Sequence, residues 1–427
     1  MRRDTGRLLD QWLLAPGSWR LVLDTGEGRC YGQLNRFAKP LFISRSIIHA
    51  GRPAGTSIGL GDRPPWRILV EQATRRTTIA DVARAAGVSK AAVSFAFNTP
   101  ERLSADTVTR IREIATGLDY RPDPVARMLA QRRTGTIGIL TPQGLDVIFT
   151  NPYFGEFSAG VATAAEAAGL AIQFISPLHG SLTRAVDRAS VDGIIAVGLG
   201  AAHPEVGQIR RSGLPFVVVD STALPDEPGI EVDDEGGARL AAEHLVELGH
   251  RDFLVIGIEP PSASSGMEPA GVTALRLRGY RESMSAAGIE LSDAEMVVGP
   301  ASMEGGIDAF RRAWASGARP TAVLAMSDAM AIGAMRAARD LGLGVPADLS
   351  IVGYDDVDVA QYTDPPLTTV HQPIRRKGEE AVRLLLAGGR HRDEGPTEQQ
   401  HLETRLVVRG STARAPRGRE EVVDDGR

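Results

Sequence analysis

The stretch TTIADVARAAGVSKAAVSFAFN, residues 77–98, decides the fold of the first recognisable domain. Its first half places apolar residues at helical spacing and begins after Thr78, a favourable N-cap residue. Gly87 interrupts this spacing, and Ser89 is the expected cap of a second helix that runs to Phe97. Two helices joined by a short turn that contains glycine predict a helix-turn-helix.

Two more helices are predicted after this motif. The apolar residues of 104–118 fall on one helical face and would close a three-helix head. Pro122 and Pro124 separate that helix from a short one over 125–131. The head is therefore expected to lead through a short helix into a separate body.

Short apolar segments alternate with helical segments in the body. Because strands that alternate with helices form parallel doubly wound sheets, we predict an α/β body. The alternating series of strands and helices is too long to form one sheet of usual size. The predicted strands are 136–140, 171–176, 191–198, 214–220, 253–258, 321–326 and 349–356.

Charge is distributed unevenly along the chain. Residues 1–73 and residues 74–135 each carry 11 Lys and Arg against 6 Asp and Glu, a net charge of +5 each. The whole chain carries −5, which leaves −15 for residues 136–427. A basic head on an acidic body is typical of a protein that binds a polyanion through its head alone.

The motifs TIADVARAAGVS, VSFAFN and YRPDPVARMLA together resemble the LacI/GalR family of bacterial transcription regulators. The resemblance covers roughly residues 77–412. It implies an N-terminal three-helix helix-turn-helix head and an α/β two-subdomain body like that of periplasmic binding proteins, with doubly wound parallel sheets. The chain would cross between the subdomains near Val232, Thr368 and Gln400.

The resemblance also implies domain boundaries. Residues 74–120 would be the DNA-binding domain, 121–135 the hinge helix and linker, and 136–412 the effector-binding and dimerisation domain. Residues 413–427 are charged and rich in glycine, and we expect a disordered tail there. Residues 1–73 are left as an unassigned extension.

Two interpretations of the extension remain open. It is rich in Gly, Arg and Pro and shows no sustained helical or strand period. One interpretation is a flexible basic arm that adds nonspecific DNA contacts. The other, which we favour, is that the stretch is not translated and that the protein starts near Val70, because valine can be encoded by an alternative start codon.

The implied partner of the head is a pseudo-palindromic DNA operator bound by a homodimer, or by a higher oligomer, because one short helix contacts few base pairs. The resemblance assigns base contacts to Lys90 and Ala91. Phe95 stands where many relatives carry arginine, and core packing is the alternative for it. The remaining predicted contacts, to phosphates, are Thr78, Ser89, Ser94 and Asn98.

Leu129 occupies the hinge position at which, in the family, a leucine from each protomer inserts into the minor groove and bends the duplex. The alternative is a leucine of the protein core.

The implied effector site lies between the subdomains. Arg276 matches the family's ligand-binding arginine, and Asp355 matches its hydroxyl-binding carboxylate. Phe154 would lie against a sugar ring, and the site would also include Ser327 and Asp328. A surface ion pair is the alternative for Arg276, and a core position is the alternative for Phe154.

The sequence departs from the family pattern at two effector positions. Ser327 stands where relatives often have asparagine, and Ala301 stands where many have a stacking aromatic residue. Both changes enlarge the pocket. The guanidinium and the carboxylate favour a sugar or related polyhydroxyl effector. The larger pocket leaves a nucleoside or a modified sugar as the alternative.

Other kinds of site are disfavoured. The segment VGLGAAH (197–203) lacks the third glycine of a dinucleotide-binding motif, and no phosphate-binding or nucleophile motif occurs. No histidine pair has metal-ligand spacing, and His244 and His250 are interpreted as cap and surface residues. Asp355 and Asp356 have no partner base, so a ligand-binding role is favoured. We expect no cofactor and no metal.

Composition excludes further classes of protein. No apolar run is long enough to span a bilayer, and Cys30 is the only cysteine, so a reducing cytoplasm is expected. A solute-binding receptor would need an export signal and no DNA-binding head. A sugar- or nucleotide-modifying enzyme would need a catalytic constellation. A transcription regulator is thus favoured over both.

Overall fold

The computed structural model describes residues 19–24, 29–34, 77–131, 133–199, 206–221, 227–259, 271–292, 295–388 and 398–416. The chain divides into two units, Met1–Thr78 and Ile79–Arg427. In the first unit, β1 (Trp19–Asp24) pairs antiparallel with β2 (Arg29–Leu34). The sequence did not predict this hairpin, because WRLVLD and RCYGQL neither alternate strictly between apolar and polar residues nor form a continuous apolar run.

The second unit begins with the predicted three-helix head, made of α1 (Ile79–Ala86), α2 (Lys90–Asn98) and α3 (Ala105–Gly117). After α1, Gly87 has a φ of +65°, which glycine adopts readily. The Oγ of Ser89 accepts a hydrogen bond from the N of Ala92 over 3.1 Å, which confirms the predicted cap of α2. The buried residues shared by the three helices are Val82, Ala83, Ala86, Val93, Ala96, Ile111 and Ala115.

A short helix, α4 (Pro124–Gln131), follows the head as predicted. The linker after it is held by Asp192 of the body. One carboxylate oxygen of Asp192 accepts from the N and the Oγ1 of Thr134 over 2.7 and 3.0 Å, and the other accepts from the N of Gly135 over 2.8 Å. The end of the linker is thereby fixed to the body.

The body alternates strands and helices in chain order. Its elements up to the first crossing are β3 (Thr136–Leu140), α5 (Leu145–Ile148), α6 (Pro152–Ala167), β4 (Ala171–Ile175), α7 (Leu182–Arg188), β5 (Gly193–Val197), α8 (Val206–Ser212), β6 (Phe216–Val219) and β7 (Gly229–Val232). The later elements are α9 (Asp234–Glu247), β8 (Phe253–Ile258), α10 (Val272–Ala286), β9 (Met296–Gly299), α11 (Met303–Ala315), β10 (Ala322–Ala325), α12 (Asp328–Asp340), β11 (Ser350–Asp355), β12 (Thr368–His371), α13 (Ile374–Gly388), β13 (Gln399–Leu402) and β14 (Arg405–Val407).

These strands form two six-stranded sheets in the described part of the body. The N-subdomain sheet has the order β13-β7-β6-β5-β3-β4 and is parallel throughout. The C-subdomain sheet has the order β14-β12-β11-β10-β8-β9, and only its edge strand β14 runs antiparallel. An antiparallel edge strand on a parallel sheet is common, because an edge strand can return without a crossover helix.

The chain crosses between the subdomains three times, as predicted. The crossings follow β7, β12 and β13, at Asp233, at Gln372 and at 403–404. The second lies four residues beyond the predicted Thr368, because Thr368 begins β12, which belongs to the C-subdomain sheet. All the crossing segments therefore lie beside the cleft, the space between the two subdomains.

The interpretation of His250 as a surface residue was wrong. His250 is 1 % exposed, and its ring nitrogens hydrogen-bond to the hydroxyls of Thr321 and Ser350 and to the carbonyl of Ala413. The N of Ala415 donates to the carbonyl of Leu248 over 2.9 Å. Residues 413–416, expected in a disordered tail, thus pack on the C-subdomain, and residues 417–427 lie outside the described ranges.

Candidate functional site

The start of α2 presents the side chains that the sequence assigned to base contacts. Lys90 and Ala91 are exposed at the first two positions of the helix, and so are Ser89 before it and Thr78 before α1. The buried face of α2 is formed by Val93 and Ala96. The helix therefore leaves its N-terminal end free to contact another molecule.

The other predicted positions on α2 have contacts within the head. The Nδ2 of Asn98 donates to the Oγ of Ser94 over 3.2 Å. Phe95 is half-buried, and the guanidinium carbon of Arg102 lies 5.1 Å from its ring centroid. Phe95 is therefore neither a full core residue nor free on the surface. Leu129 lies in α4, and its side chain is outside the described residues.

Three aspartates at the carboxyl ends of strands have backbone conformations that are unusual for residues other than glycine. Asp220, after β6, has φ 53°, and Asp355 and Asp356, at the end of β11, have φ 123° and 58°. Such conformations cost free energy and cluster at functional sites. In α/β sheets, ligands bind beyond the carboxyl ends of the strands. Each subdomain thus has at least one such aspartate at the cleft, Asp220 in the N-subdomain and Asp355 and Asp356 in the C-subdomain.

Arg276 of α10 is buried at the C-subdomain side of the cleft. Its side chain is 5 % exposed, and its Nε donates to the Oδ1 of Asp234 over 2.8 Å. Nη1 donates to the carbonyl of Met326 and lies 4.0 Å from the Oδ1 of Asp355, and the guanidinium carbon lies 3.6 Å from the centroid of the Tyr354 ring. The surface ion pair considered for Arg276 is excluded by this burial.

A line of hydrogen bonds continues from Asp355 to the N-subdomain. The Nε2 of Gln372 donates to the Oδ1 of Asp355 over 2.5 Å. The Oε1 of Gln372 accepts from the Nζ of Lys377, which also donates to the Oδ1 of Asp220. Lys377 is completely buried, and the hydroxyl of Tyr153 donates to the Oδ2 of Asp220. Polar groups of both subdomains are thereby joined across the cleft.

Phe154 lies in the first turn of α6, on the N-subdomain side. It is partly buried, and its ring is edge-on to Tyr153 with the centroids 5.4 Å apart. The ring also packs on the apolar core. Phe154 is therefore held by the core while part of its surface stays accessible.

Ser327 and Asp328 have partners within the C-subdomain. The Oγ of Ser327 caps α12 by accepting from the N of Met330 over 3.3 Å. The two carboxyl oxygens of Asp328 accept from the hydroxyl of Thr369 and, over 2.9 Å, from the N of Val357. These contacts bring the ends of β10, β11 and β12 together.

Burial changes the acidity of the carboxyl groups at the cleft. It raises the pKa of Asp355 to about 7, although the Arg276 guanidinium and the Gln372 amide both lower it. Burial also raises the pKa of Asp328 well above its ordinary range, and the nearby Asp355 adds to this. A carboxyl group that titrates near neutral pH can donate or accept a hydrogen bond, which suits a hydroxyl-bearing ligand.

The sequence missed the residues that complete this network, namely Tyr153, Asp220, Asp234, Gln372 and Lys377. Two features of the sequence could have drawn attention to Lys377 and Asp220. Lysine occurs only three times in the chain, and Asp220 directly follows a buried apolar strand. Neither signal says which residues these side chains would contact.

A cavity of about 540 Å³ lies elsewhere in the C-subdomain, lined by Gly299, Gly305 and Arg312 among others. Its arginines are exposed at the surface, and Arg312 donates to the carbonyl of Val298. It contains none of the predicted effector residues. The cleft, whose charged groups are buried and convergent, is the better ligand site.

Among the described residues, no helix is both long and apolar enough to cross a membrane. No group of three or more His, Cys, Asp or Glu side chains there could hold a metal ion.

Comparison with known proteins matches both parts of the chain. Residues 78–123 match the family described as bacterial regulatory proteins, lacI family, and residues 242–412 match a periplasmic binding protein-like domain. The chain is 32% identical to the ribose operon repressor of Escherichia coli (strain K12) over 346 residues, which are 78% of this chain and 99% of the relative.

Two solved structures are similar over 79% of this chain and 100% of theirs. The transcriptional regulator CelR–cellobiose complex has a TM-score of 0.58 at 29% identity. The lac repressor dimer bound to operator and the anti-inducer ONPF has a TM-score of 0.67 at 28% identity. Since head, body and overall sequence agree, this chain belongs to the lacI family of bacterial regulatory proteins and is an effector-controlled, DNA-binding transcription regulator.

Proposed function

We propose that this regulator is a repressor that binds a pseudo-palindromic operator as a homodimer and is controlled by a sugar or related polyhydroxyl compound bound in the cleft. Residues 74–120 bind DNA, 121–135 form the hinge and linker, and 136–412 bind the effector and dimerise. The observation that carries the proposal is the buried Arg276, held by Asp234 beside Asp355 at the edge of the C-subdomain sheet.

The exposed start of α2 and the net charge of the head support the DNA half of the proposal. Lys90 donates to guanine in the major groove, and Ala91 contacts a thymine methyl group. Leu129 of each protomer inserts into the minor groove between the half-sites. Phe95 contacts the operator through its accessible edge. The phosphate contacts are made by Thr78, Ser89, Ser94 and Asn98.

The chemistry of the cleft supports the effector half. A guanidinium and a carboxyl group can each make paired hydrogen bonds to adjacent hydroxyls. Phe154 offers an apolar surface for a sugar ring, while Ser327 and Asp328 bring the strand ends into position. The names of similar proteins, a ribose operon repressor and a CelR–cellobiose complex, point to the same ligand class.

The test combines footprinting and ligand release. The protein is footprinted on the DNA upstream of its own gene, and then D-ribose, cellobiose and adenosine are added at increasing concentration. We expect a two-fold symmetric footprint that one of the carbohydrates weakens. The proposal fails if no DNA is protected, or if no probe changes protection. A turnover screen with the same compounds excludes an enzyme if every compound is recovered unchanged.

A further inference from the structure

We propose that Lys377, paired with Asp220, is a specificity-determining residue that binds hydroxyl groups of the effector at the end opposite to Arg276 and Asp355. The inference rests on the proposed function, since it assumes that the effector binds in the cleft. It goes further by assigning the N-subdomain half of the site and by restricting the effector to neutral compounds with hydroxyls at both ends.

Burial of Lys377 is the first observation. Its side chain is 0% exposed, although lysine is almost never fully buried unless it is paired. Removing an ammonium from water costs several kcal/mol, and a neutral apolar side chain at this place would avoid that cost. A role in ligand binding gives a reason to retain the charge.

Unused hydrogen-bonding capacity is the second observation. An ammonium group has three N–H donors, and among the described residues Nζ of Lys377 has two hydrogen-bond acceptors, Asp220 and Gln372. Asp220 accepts one hydrogen bond from Lys377 and one from Tyr153, so its carboxylate oxygens can still accept further hydrogen bonds. The pair can therefore both donate to and accept from a hydroxyl group.

The opposite side of the cleft has the same unused capacity. Within the described ranges, Nη2 of Arg276 and Oδ2 of Asp355 make no hydrogen bond. On the N-subdomain side, next to Asp220, Ser221 adds a buried hydroxyl that has no hydrogen-bond partner among the described residues. Each subdomain thus contributes one cation with carboxyl groups beside it: Lys377 with Asp220, and Arg276 with Asp234 and Asp355.

Lys377 is held rigidly in place. It lies in the first turn of α13, beside Gly378, where α13 packs against α6. A Cβ on Gly378 would lie 2.4 Å from the carbonyl oxygen of Phe157, and one on Gly160 would lie 2.0 Å from that of Arg375. Because the two backbones are in direct contact, the ammonium group is positioned before the effector arrives.

The two pairs define the chemical class of the effector. Lys377 is paired with Asp220, and Arg276 is paired with Asp234 and lies 4.0 Å from Asp355, so neither side offers an unpaired cation to a ligand. A carboxylate or an ammonium on the effector would face a group of like charge in a buried site. A neutral sugar with hydroxyls at both ends satisfies both pairs.

The test is calorimetry on the full-length protein with D-ribose, D-glucose, cellobiose, D-glucuronate and D-glucosamine. The variants are Lys377→Met, which keeps the length of the side chain, Asp220→Asn and Arg276→Ala. Arg376→Met is the matched control, since Arg376 precedes Lys377 on α13 and is exposed. We expect a neutral sugar to bind, and its affinity to fall at least tenfold in the first three variants and to stay unchanged in the control.

Deoxy analogues of the sugar that binds identify the group contacted by Lys377. One analogue should bind the wild type at least tenfold more weakly than its parent, yet bind Lys377→Met as well as the parent does. If Lys377→Met is unfolded at the assay temperature, the same comparison is made with Asp220→Asn.

Three outcomes distinguish failure of this inference from failure of the proposed function. A sugar that requires Arg276 but binds equally to the wild type, Lys377→Met and Asp220→Asn refutes this inference and leaves the proposed function standing. Preference for D-glucuronate or D-glucosamine over the neutral parent also refutes it. Failure of every probe to bind the wild type refutes the proposed effector class, and this inference with it.

Discussion

Arg276 and Asp234 form a buried ion pair, with Nε of the guanidinium donating to Oδ1 of the carboxylate over 2.8 Å. Asp234 is the first residue of α9, directly after the first crossing, whereas Arg276 belongs to α10. Burial alone would lower the pKa of Arg276, but Asp234 and other nearby groups raise it. The guanidinium is therefore charged and oriented before any ligand binds.

Replacement of Arg276 should affect both stability and effector affinity. Arg276→Ala leaves Asp234 as an uncompensated buried charge, so we expect the free energy of unfolding to fall by about 3–5 kcal/mol. Effector affinity should fall at least tenfold, roughly 1.4 kcal/mol. Urea unfolding and calorimetry measure the two effects. Arg278, on the same helix as Arg276, forms an exposed ion pair with Glu235 of α9, so the control Arg278→Ala should change stability by about 0–1 kcal/mol.

Lys90→Ala should relax the sequence preference of DNA binding. Lys90 is exposed at the start of α2, where its ammonium can donate to guanine. We expect a binding-site selection to lose discrimination at one base pair in each half-site, at a cost of about 1–3 kcal/mol. Arg84→Ala, which removes an exposed head arginine paired with Asp81, serves as the control. An unchanged consensus in Lys90→Ala would show that Lys90 makes no base contact.

Leu129→Ala should weaken operator binding and reduce DNA bending while leaving effector affinity unchanged. The reason is that an inserted apolar side chain unstacks a base step and kinks the duplex. A circular-permutation gel measures the bend. Val125→Ala, an exposed position on the same helix, is the control. Equal bend angles for Leu129→Ala and the wild type would exclude the insertion.

Asp192→Asn should weaken the connection between hinge and body. Asp192 accepts three hydrogen bonds from Thr134 and Gly135, and bonds to a carboxylate are stronger than bonds to an amide oxygen. We expect the effector to bind with wild-type affinity by calorimetry but to change DNA affinity less in a gel-shift titration. If the effector shifts DNA binding of both proteins equally, the linker bonds do not transmit its effect.

Stability should depend on pH through Asp355. Its pKa of about 7 in the folded protein exceeds the value of about 3.9 for an unfolded chain, so protonation of Asp355 favours the folded state. This contribution is complete below about pH 4 and is lost as the pH rises through about 7. As the pH rises from about 4 to about 7, the free energy of unfolding of the wild type should therefore fall by a few kcal/mol relative to that of Asp355→Asn, at about 1.4 kcal/mol per pH unit.

Urea unfolding of the two proteins at a series of pH values makes this comparison. Asp358→Asn is the control, since the side chain of Asp358 is 75% exposed. Stability curves of the wild type and Asp355→Asn that run parallel from pH 4 to about pH 8 would contradict the assignment.

The sequence by itself determined the helix-turn-helix, the Ser89 cap of its second helix and the alternating α/β body. These features depend on local order, because a serine cap such as Ser89 or a turn glycine such as Gly87 acts within a few residues. The resemblance also singled out Arg276 and Asp355, since short motifs surround both, and their contact with the effector stays a prediction. The hairpin of β1 and β2 and the burial of His250 were missed, because neither has a distinctive local pattern.

Only the tertiary structure decided how the cleft is composed. Lys377 and Asp220 are 157 residues apart, and Asp234 and Arg276 are 42 apart. Their contacts depend on the three crossings and on the close packing of α13 against α6, which bring strand ends and helix starts together. A local sequence pattern fixes the conformation of its own segment, whereas the partner of a buried charge is fixed by where distant segments meet.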